Sequence, residues 1–269
     1  MAVRGISTVL DVTLCLLLIA AAVATLTVPG SQPPESAADE TAEQLATATA
    51  NVTDAVPTDD AKSRLVAGTQ AELLGRAALT NLSLDGDPLA PTTAPFRAAV
   101  RDRVRRTLAW SSRPTSVTAR WAPYPDAPLR GQVVVGPEPP PGVSVGTARL
   151  SVPVPLRAGL EVDARDPRSY RAVARSVSVA VIDATLPGAP GAGAGRMTTR
   201  ERRRRRAIGA ALGMREPGTT DRHRNRSRLR RRLTDRLATD VRGRFDSPEA
   251  AASALRTGTV EIVVREWSS

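Results

Sequence analysis

The sequence is poor in the side chains that most enzymes use as nucleophiles, bases or metal ligands. Its 269 residues include one cysteine (Cys15), one histidine (His223) and one lysine (Lys62). A single cysteine excludes a disulfide bond within the chain, and one histidine with one cysteine does not make a His/Cys metal site. A phosphate-binding P-loop needs a lysine after its glycines, and this chain has none there. We therefore expect a non-enzymatic protein without a cofactor, a metal or a small-molecule substrate.

One catalytic pattern does occur, the G-x-S-x-G of serine hydrolases at residues 142–146. Its Ser144 would need a strand, a strained turn and a helix around it, and a histidine near enough to take its proton. The residues that follow alternate like a strand, and His223 lies among arginines, whose charge disfavours a protonated imidazole. We interpret the pattern as the glycine-flanked start of a strand.

Aromatic residues are also scarce, at 3% of the chain, so the core must consist mainly of Val, Leu and Ala. The charge, by contrast, is concentrated in one segment. Residues 196–244 contain 18 arginines and five carboxylates, a balance of +13, while the whole chain carries +11 and the remainder therefore −2. Such a segment attracts polyanions, although a solvated helix face is the alternative interpretation. The candidate polyanion-binding residues are Arg202, Arg203, Arg204, Arg205, Arg206, Arg230, Arg231 and Arg232.

The longest apolar run stands near the amino terminus, where residues 12–28 carry no charge. A helix over residues 6–28 would be about 34 Å long, enough to cross a bilayer and contact membrane lipid. The sequence therefore predicts a single transmembrane helix. Two alternatives stay open: a cleaved secretory signal that ends near Ala22-Val23-Ala24, and a buried helix of a soluble protein.

The charges on either side of this run predict its orientation. Arg4 and the amino terminus are positive, whereas the first charged residues after the run are acidic. Because positive flanks stay in the cytoplasm, we expect a single-pass protein of the cell membrane with its carboxyl-terminal domain outside. An exported domain makes nucleic acid an unlikely partner. It also leaves three triplets accessible for glycosylation, at Asn51, Asn81 and Asn225.

The string from Arg4 to Asp11, RGISTVLD, resembles the amino terminus of archaeal type IV pilin-like precursors. The resemblance implies cleavage between Gly5 and Ile6, with Arg4 as the basic residue before the cut, and packing against other pilin-like subunits. The Arg-rich composition and the carboxyl-terminal run TVEIVVREW are similar to membrane-anchored proteins of halophilic archaea that have no assigned activity.

Periodicity and turn residues predict the remaining elements. Predicted helices cover residues 41–56, 61–84, 93–110, 168–186, 199–214, 221–244 and 248–255, and predicted strands cover 116–121, 131–135, 143–156 and 259–267. We expect the second and third strands to pair around a proline turn, and the last strand to join the others. The predicted fold class is α+β: a transmembrane helix, then an extracytoplasmic domain with a small, mainly antiparallel sheet covered by helices.

This pattern divides the chain into six segments. They are an anchor (1–28), a stalk with a short polar helix (29–58), an α+β domain (59–186), a Gly/Pro/Ala linker (187–195), the Arg-rich segment (196–244), and a final helix and strand that complete the domain (245–269). The leading hypothesis is a membrane-anchored surface protein, an accessory subunit of a pilus-like system. The alternative is a protein that binds polyanions or nucleic acid through residues 196–244.

Overall fold

The computed structural model describes residues 36–54, 64–89, 94–154, 156, 169–186, 199–214 and 222–268. The chain divides into two units, residues 1–36 and residues 37–269. Only Ser36 of the first unit is among the described residues, so the described fold is that of the second unit.

The described residues form seven helices and eight strands. The helices are α1 (Ala37–Thr47), α2 (Gln70–Thr80), α3 (Ala94–Leu108), α4 (Tyr170–Thr185), α5 (Thr199–Ala211), α6 (Arg222–Arg244) and α7 (Pro248–Ser253). The strands are β1 (Thr49–Asp54), β2 (Arg64–Thr69), β3 (Leu82–Leu84), β4 (Asp87–Pro88), β5 (Thr115–Trp121), β6 (Leu129–Val135), β7 (Val145–Pro153) and β8 (Thr259–Trp267).

Six of the strands form one antiparallel sheet in the order β4-β3-β6-β5-β8-β7. The carboxyl-terminal strand β8 lies inside this sheet, where Val263 is opposite both Thr118 of β5 and Arg149 of β7. The prediction that the last strand joins the others is confirmed. The predicted pairing of β6 with β7 is wrong, because β8 separates β7 from β5 and β6 pairs with β5 and β3. The apolar row of β8 suits a central position, whereas the proline at the end of β7 suits an edge.

One face of the sheet is the main core. Val117, Ala119, Ile262 and Val264 lie on it and are fully buried. Helix α2 crosses this face so closely that a Cβ added at Gly131 would lie 2.2 Å from the carbonyl oxygen of Ala78. Helices α1 and α3 pack beside α2. The sheet face and its three helices therefore bury the Val, Leu and Ala side chains that the composition led us to expect.

Two predicted helices near residues 41–84 have other boundaries in the structure. Residues 49–54 and 64–69 pair as the antiparallel hairpin β1–β2, and α2 begins only at Gln70. The start of α2 is a capping box. The side-chain hydroxyl of Thr69 accepts a hydrogen bond from the backbone amide of Glu72, and the side-chain carboxylate of Glu72 accepts one from the backbone amide of Thr69. This cap ends the extended segment, so Leu65 and Val66 belong to a strand rather than to the helix.

A second group of helices contains α4, α6 and α7, and α6 packs along α4. The predicted apolar row of α6 is confirmed: Leu229, Leu233, Leu237 and Val241 are all buried. Helix α6 of the Arg-rich segment is therefore docked on the domain, because a row of apolar side chains four residues apart forms one continuous helix face.

The prediction of a transmembrane helix is not supported by the described residues, none of whose helices has the length and apolarity needed to cross a membrane. Helix α6 has 23 residues but ten arginines, each costing about 2.5–3.5 kcal/mol at a bilayer centre. Helix α4 is more apolar but has only 16 residues. The predicted span 6–28 itself lies outside the described residues. We therefore correct the predicted fold class and the single-pass localisation: the structure shows an α+β domain with antiparallel sheets.

Candidate polyanion-binding site

Helix α6 separates its arginines into an inner and an outer set. On the inner side, Arg226 and Arg230 both reach the carboxylate of Asp183 on α4, with 3.7 Å between Arg226 Nη1 and Asp183 Oδ1. Arg236 pairs with Asp85 at the turn between β3 and β4, with 2.9 Å between Nη2 and Oδ2. Arg226 and Arg230 are partly buried and share a counter-charge, so they hold α6 in place and are not available to a ligand. Arg236 also has a counter-charge, but it is exposed, so its pair with Asp85 is weak by itself.

The arginines of helix α5 also fall into two sets, one turned towards the protein and one exposed to solvent. All five arginines at residues 202–206 were predicted to be candidate polyanion-binding residues, but five successive helical residues turn through more than a full circle. Arg205 is only 5% exposed, and Arg204 Nη1 donates to the carbonyl oxygen of Thr185 at 2.8 Å. Arg202, Arg203 and Arg206 are exposed.

A set of arginines on both helices remains exposed to solvent. Six of them make no ion pair or hydrogen bond with any side chain in the described part of the protein, and we call them the open arginines: Arg203, Arg206, Arg228, Arg231, Arg232 and Arg242. Sequence reasoning missed Arg228 and Arg242, since it selected runs of adjacent arginines. The apolar row of α6 could have identified them, because a residue one position before Leu229 or after Val241 lies off the buried face.

Three open arginines line a pocket of about 660 Å³ between α6 and the end of α5. Its lining residues are Gly213, Met214, Arg228, Arg231, Arg232 and Asp235. Positions 228, 231 and 232 have the i, i+3, i+4 spacing that brings helix side chains together. The amides of Gly213 and Met214 donate to carbonyl oxygens of α5, at 2.9 and 2.8 Å. Hydrogen-bond donors for a ligand therefore come from the guanidinium groups.

The one carboxylate that lines this pocket is already paired. Asp235 Oδ1 lies 2.7 Å from Nη1 of Arg171, which belongs to α4. Both side chains are more than half exposed, so the pair is weak by itself. The pocket lining therefore contains three guanidinium groups and one carboxylate, which leaves a net positive charge.

The other predicted site residues lie elsewhere. The processing residues Arg4, Gly5 and Ile6 are outside the described residues, so cleavage and the pilin-like resemblance stay predictions. Of the glycosylation triplets, Asn51 is exposed on β1 and Asn225 is buried in α6.

The third triplet asparagine, Asn81, is engaged with its neighbours. Its amide group donates to the carbonyl oxygen of Gln132 at 2.6 Å and its side-chain oxygen accepts from Arg97. Burial lowers the pKa of Arg97, and the charge of Arg101 lowers it further. Glycosylation at all three positions stays a prediction.

Two further types of chemistry can be judged from the described residues. Ser144 directly precedes strand β7, so the strand–turn–helix geometry of a nucleophile elbow does not form there. Within the described ranges, no group of three or more His, Cys, Asp or Glu side chains is placed to hold a metal ion. The open arginines and their pocket are thus the strongest candidate site in this part of the molecule.

Comparisons with known proteins place the chain in a family without adding an activity. Neither the curated proteins nor the solved structures contain a significant match. Residues 10–267, nearly the whole chain, match one family. The protein therefore belongs to the group described as "Family of unknown function (DUF7284)".

Proposed function

We propose that this protein binds polyanions through its open arginines, with the phosphate backbone of nucleic acid as the partner class. The observation that carries the proposal is the exposure of six arginines on α5 and α6 that have no partner among the described side chains. The positive charge of these arginines raises the local concentration of anions around the two helices. A bound anion also reduces the repulsion between neighbouring arginines.

The length of the surface suits a polymer. Arg228 and Arg242 are 14 residues apart on α6, or about 21 Å at 1.5 Å per residue. A nucleic-acid duplex carries about a dozen phosphate charges over that distance. Several arginines can therefore contact one strand at once.

The same surface lacks the features that read a base sequence. Helices α5 and α6 contain no Phe, Tyr or Trp on which a base could stack. Guanidinium groups spread along a helix face contact phosphates, which carry no sequence information directly. We therefore expect binding with little sequence preference and a strong dependence on salt.

The test is duplex DNA binding measured by fluorescence anisotropy over a range of salt concentrations. One variant changes all six open arginines to Gln. A matched variant removes the same charge from exposed arginines elsewhere, at Arg101, Arg106, Arg113, Arg120, Arg130 and Arg256. For the wild type we expect the logarithm of the binding constant to fall with the logarithm of salt concentration, with a slope of up to about −5 for six contacts.

The two variants separate a local site from net charge. We expect the open-arginine variant to lose most of its affinity and most of this slope, and the matched variant to keep both nearly unchanged. Equal losses in the two variants would show that overall charge alone attracts DNA and would refute the proposed site. No binding by the wild type at low salt would refute the function itself.

A further inference from the structure

The pocket between α6 and the end of α5 is a better-defined candidate site than the rest of the surface that the open arginines form. Three of the six open arginines line this pocket, and all three lie within little more than one turn of α6. Like charges at i, i+3 and i, i+4 repel one another in the free protein. An anion with two or more charges would replace that repulsion with attraction at three groups simultaneously.

The geometry of the donors favours phosphate. A guanidinium group offers paired N–H donors that match two oxygens of one phosphate, and three such groups suit an anion with several oxygens. The backbone amides of Gly213 and Met214 are already used within the turn that ends α5. Recognition in this pocket therefore depends on the arginine side chains, unlike phosphate sites built from backbone amides at helix starts.

The size of the pocket exceeds that of a single phosphate ion. Its volume of about 660 Å³ lies in the range of cavities that hold small organic ligands. Met214 adds an apolar wall beside the three cations. The pocket thus suits a linked phosphate group together with part of the molecule that carries it.

We propose that this pocket binds linked phosphates, a diphosphate or longer, carried by a small molecule or standing at the end of a polymer. The inference rests on the proposed function, because it uses three of the same open arginines. It adds a discrete, saturable site to a surface that otherwise contacts phosphates one at a time.

The experiment is calorimetric titration of the 269-residue chain with inorganic pyrophosphate at about 0.15 M salt, where exposed charges are well screened. The first variant is Arg228→Gln/Arg231→Gln/Arg232→Gln. The matched variant is Arg203→Gln/Arg206→Gln/Arg242→Gln, which removes three open arginines outside the pocket. A third variant changes the three pocket arginines to Lys and keeps their charge without the paired donors.

For the wild type we expect saturation at one pyrophosphate per chain. The pocket Gln variant should lose at least about tenfold in affinity, the Lys variant should fall between it and the wild type, and the matched variant should stay within about twofold. Thermal unfolding of all variants checks that they fold. Because the Lys variant keeps every charge, it also tests the site if the Gln variant is unstable.

Two results would overturn the inference: weak non-saturating binding by the wild type, or equal losses in the pocket and matched variants. Full affinity in the Lys variant would overturn the part of it that assigns recognition to the paired guanidinium donors. The outcome is separable from the test with DNA. DNA binding without a pyrophosphate site would remove only the pocket, whereas a pyrophosphate site without DNA binding would remove only the polymer function. Titration with a nucleoside triphosphate and with a 5′-triphosphorylated oligonucleotide then distinguishes the two sources of linked phosphate.

Discussion

The phenol of Tyr124 donates a hydrogen bond to Asp240 Oδ2 at 3.0 Å, and Arg244 Nε donates to the same oxygen at 2.8 Å. Tyr124 belongs to the connection between β5 and β6, whereas Asp240 and Arg244 belong to α6. The ring of Tyr124 also meets the ring of Phe245 edge to face, at 5.9 Å between centroids. This cluster fixes the carboxyl-terminal end of α6 against the sheet, and hence the orientation of the open arginines.

Tyr124 should make the protein sensitive to alkaline pH. Burial raises the pKa of Tyr124 well above its usual value, and the neighbouring charge of Asp240 raises it further. Above about pH 10 the unfolded chain loses the phenol proton while the folded chain keeps it, so the free energy of unfolding falls by about 1.4 kcal/mol per pH unit. Urea unfolding at a series of pH values between about 9 and 11 measures this slope.

The control for this prediction is the second tyrosine. Tyr124→Phe should remove the alkaline loss of stability and cost about 1 kcal/mol at neutral pH, because Arg244 still satisfies Asp240. Tyr170→Phe also deletes one phenol hydrogen bond, to the carbonyl oxygen of Phe245, but should leave the alkaline slope in place. An unchanged slope in Tyr124→Phe would contradict the prediction.

Asp183 should be the main electrostatic attachment of α6 to α4. Its carboxylate is 30% exposed and lies within reach of both Arg226 and Arg230. Asp183→Asn removes a charge shared by two partly buried cations and should lower the free energy of unfolding by about 1–2 kcal/mol. The control Asp102→Asn breaks an exposed pair with Arg105 on α3 and should cost less than about 0.5 kcal/mol. Equal effects in denaturant unfolding would show that Asp183 has no special role.

Gly131 should tolerate no side chain. A Cβ at this position would lie 2.2 Å from the carbonyl oxygen of Ala78, so Gly131→Ala must push α2 away from the sheet. We expect a loss of about 1–3 kcal/mol in the free energy of unfolding. At Gly243, in the last turn of α6, a Cβ would meet no heavy atom of the described residues within 4 Å. Gly243→Ala should therefore leave stability unchanged or raise it by up to about 1 kcal/mol, since alanine is the better helix former. A loss there similar to that of Gly131→Ala would mean that the Gly131 contact is unimportant.

Thr69 should determine where α2 begins. Its side chain accepts from the Glu72 amide at 3.1 Å, and Thr69→Ala should cost about 1 kcal/mol. The exposed hydroxyl of Thr239 donates only to the carbonyl oxygen of Asp235 within α6, so Thr239→Ala serves as the control with a smaller expected change. Thermal unfolding of both variants, with helix content from circular dichroism, measures the difference.

Much of the local structure could be predicted where one signal dominated. Helices α3 and α6 and strand β8 were predicted within a few residues of their bounds, because each carries a long apolar row at a single period. The hairpin β1–β2 was missed. Its residues include Ala, Leu and Val at spacings that also suit a helix, and only pairing between the two segments makes them strands.

The candidate site, too, could be predicted from the sequence only in part. Sequence reasoning found the Arg-rich segment, but it selected Arg204, Arg205 and Arg230, which face inward, and it missed Arg228 and Arg242. Adjacent arginines form a conspicuous run in the sequence, whereas exposure depends on which side of each helix meets the domain. Only the buried row of α6 carried that information in advance.

The sequence by itself determined that positive charge is concentrated in residues 196–244 and that α6 has one apolar face, since composition and periodicity are local properties. The tertiary structure decided which of those charges are neutralised. The carboxylates that pair with Arg230 and Arg236 are Asp183 and Asp85, which are 47 and 151 residues away along the chain. Pairs at such separations depend on the path of the whole chain, and no local pattern specifies them.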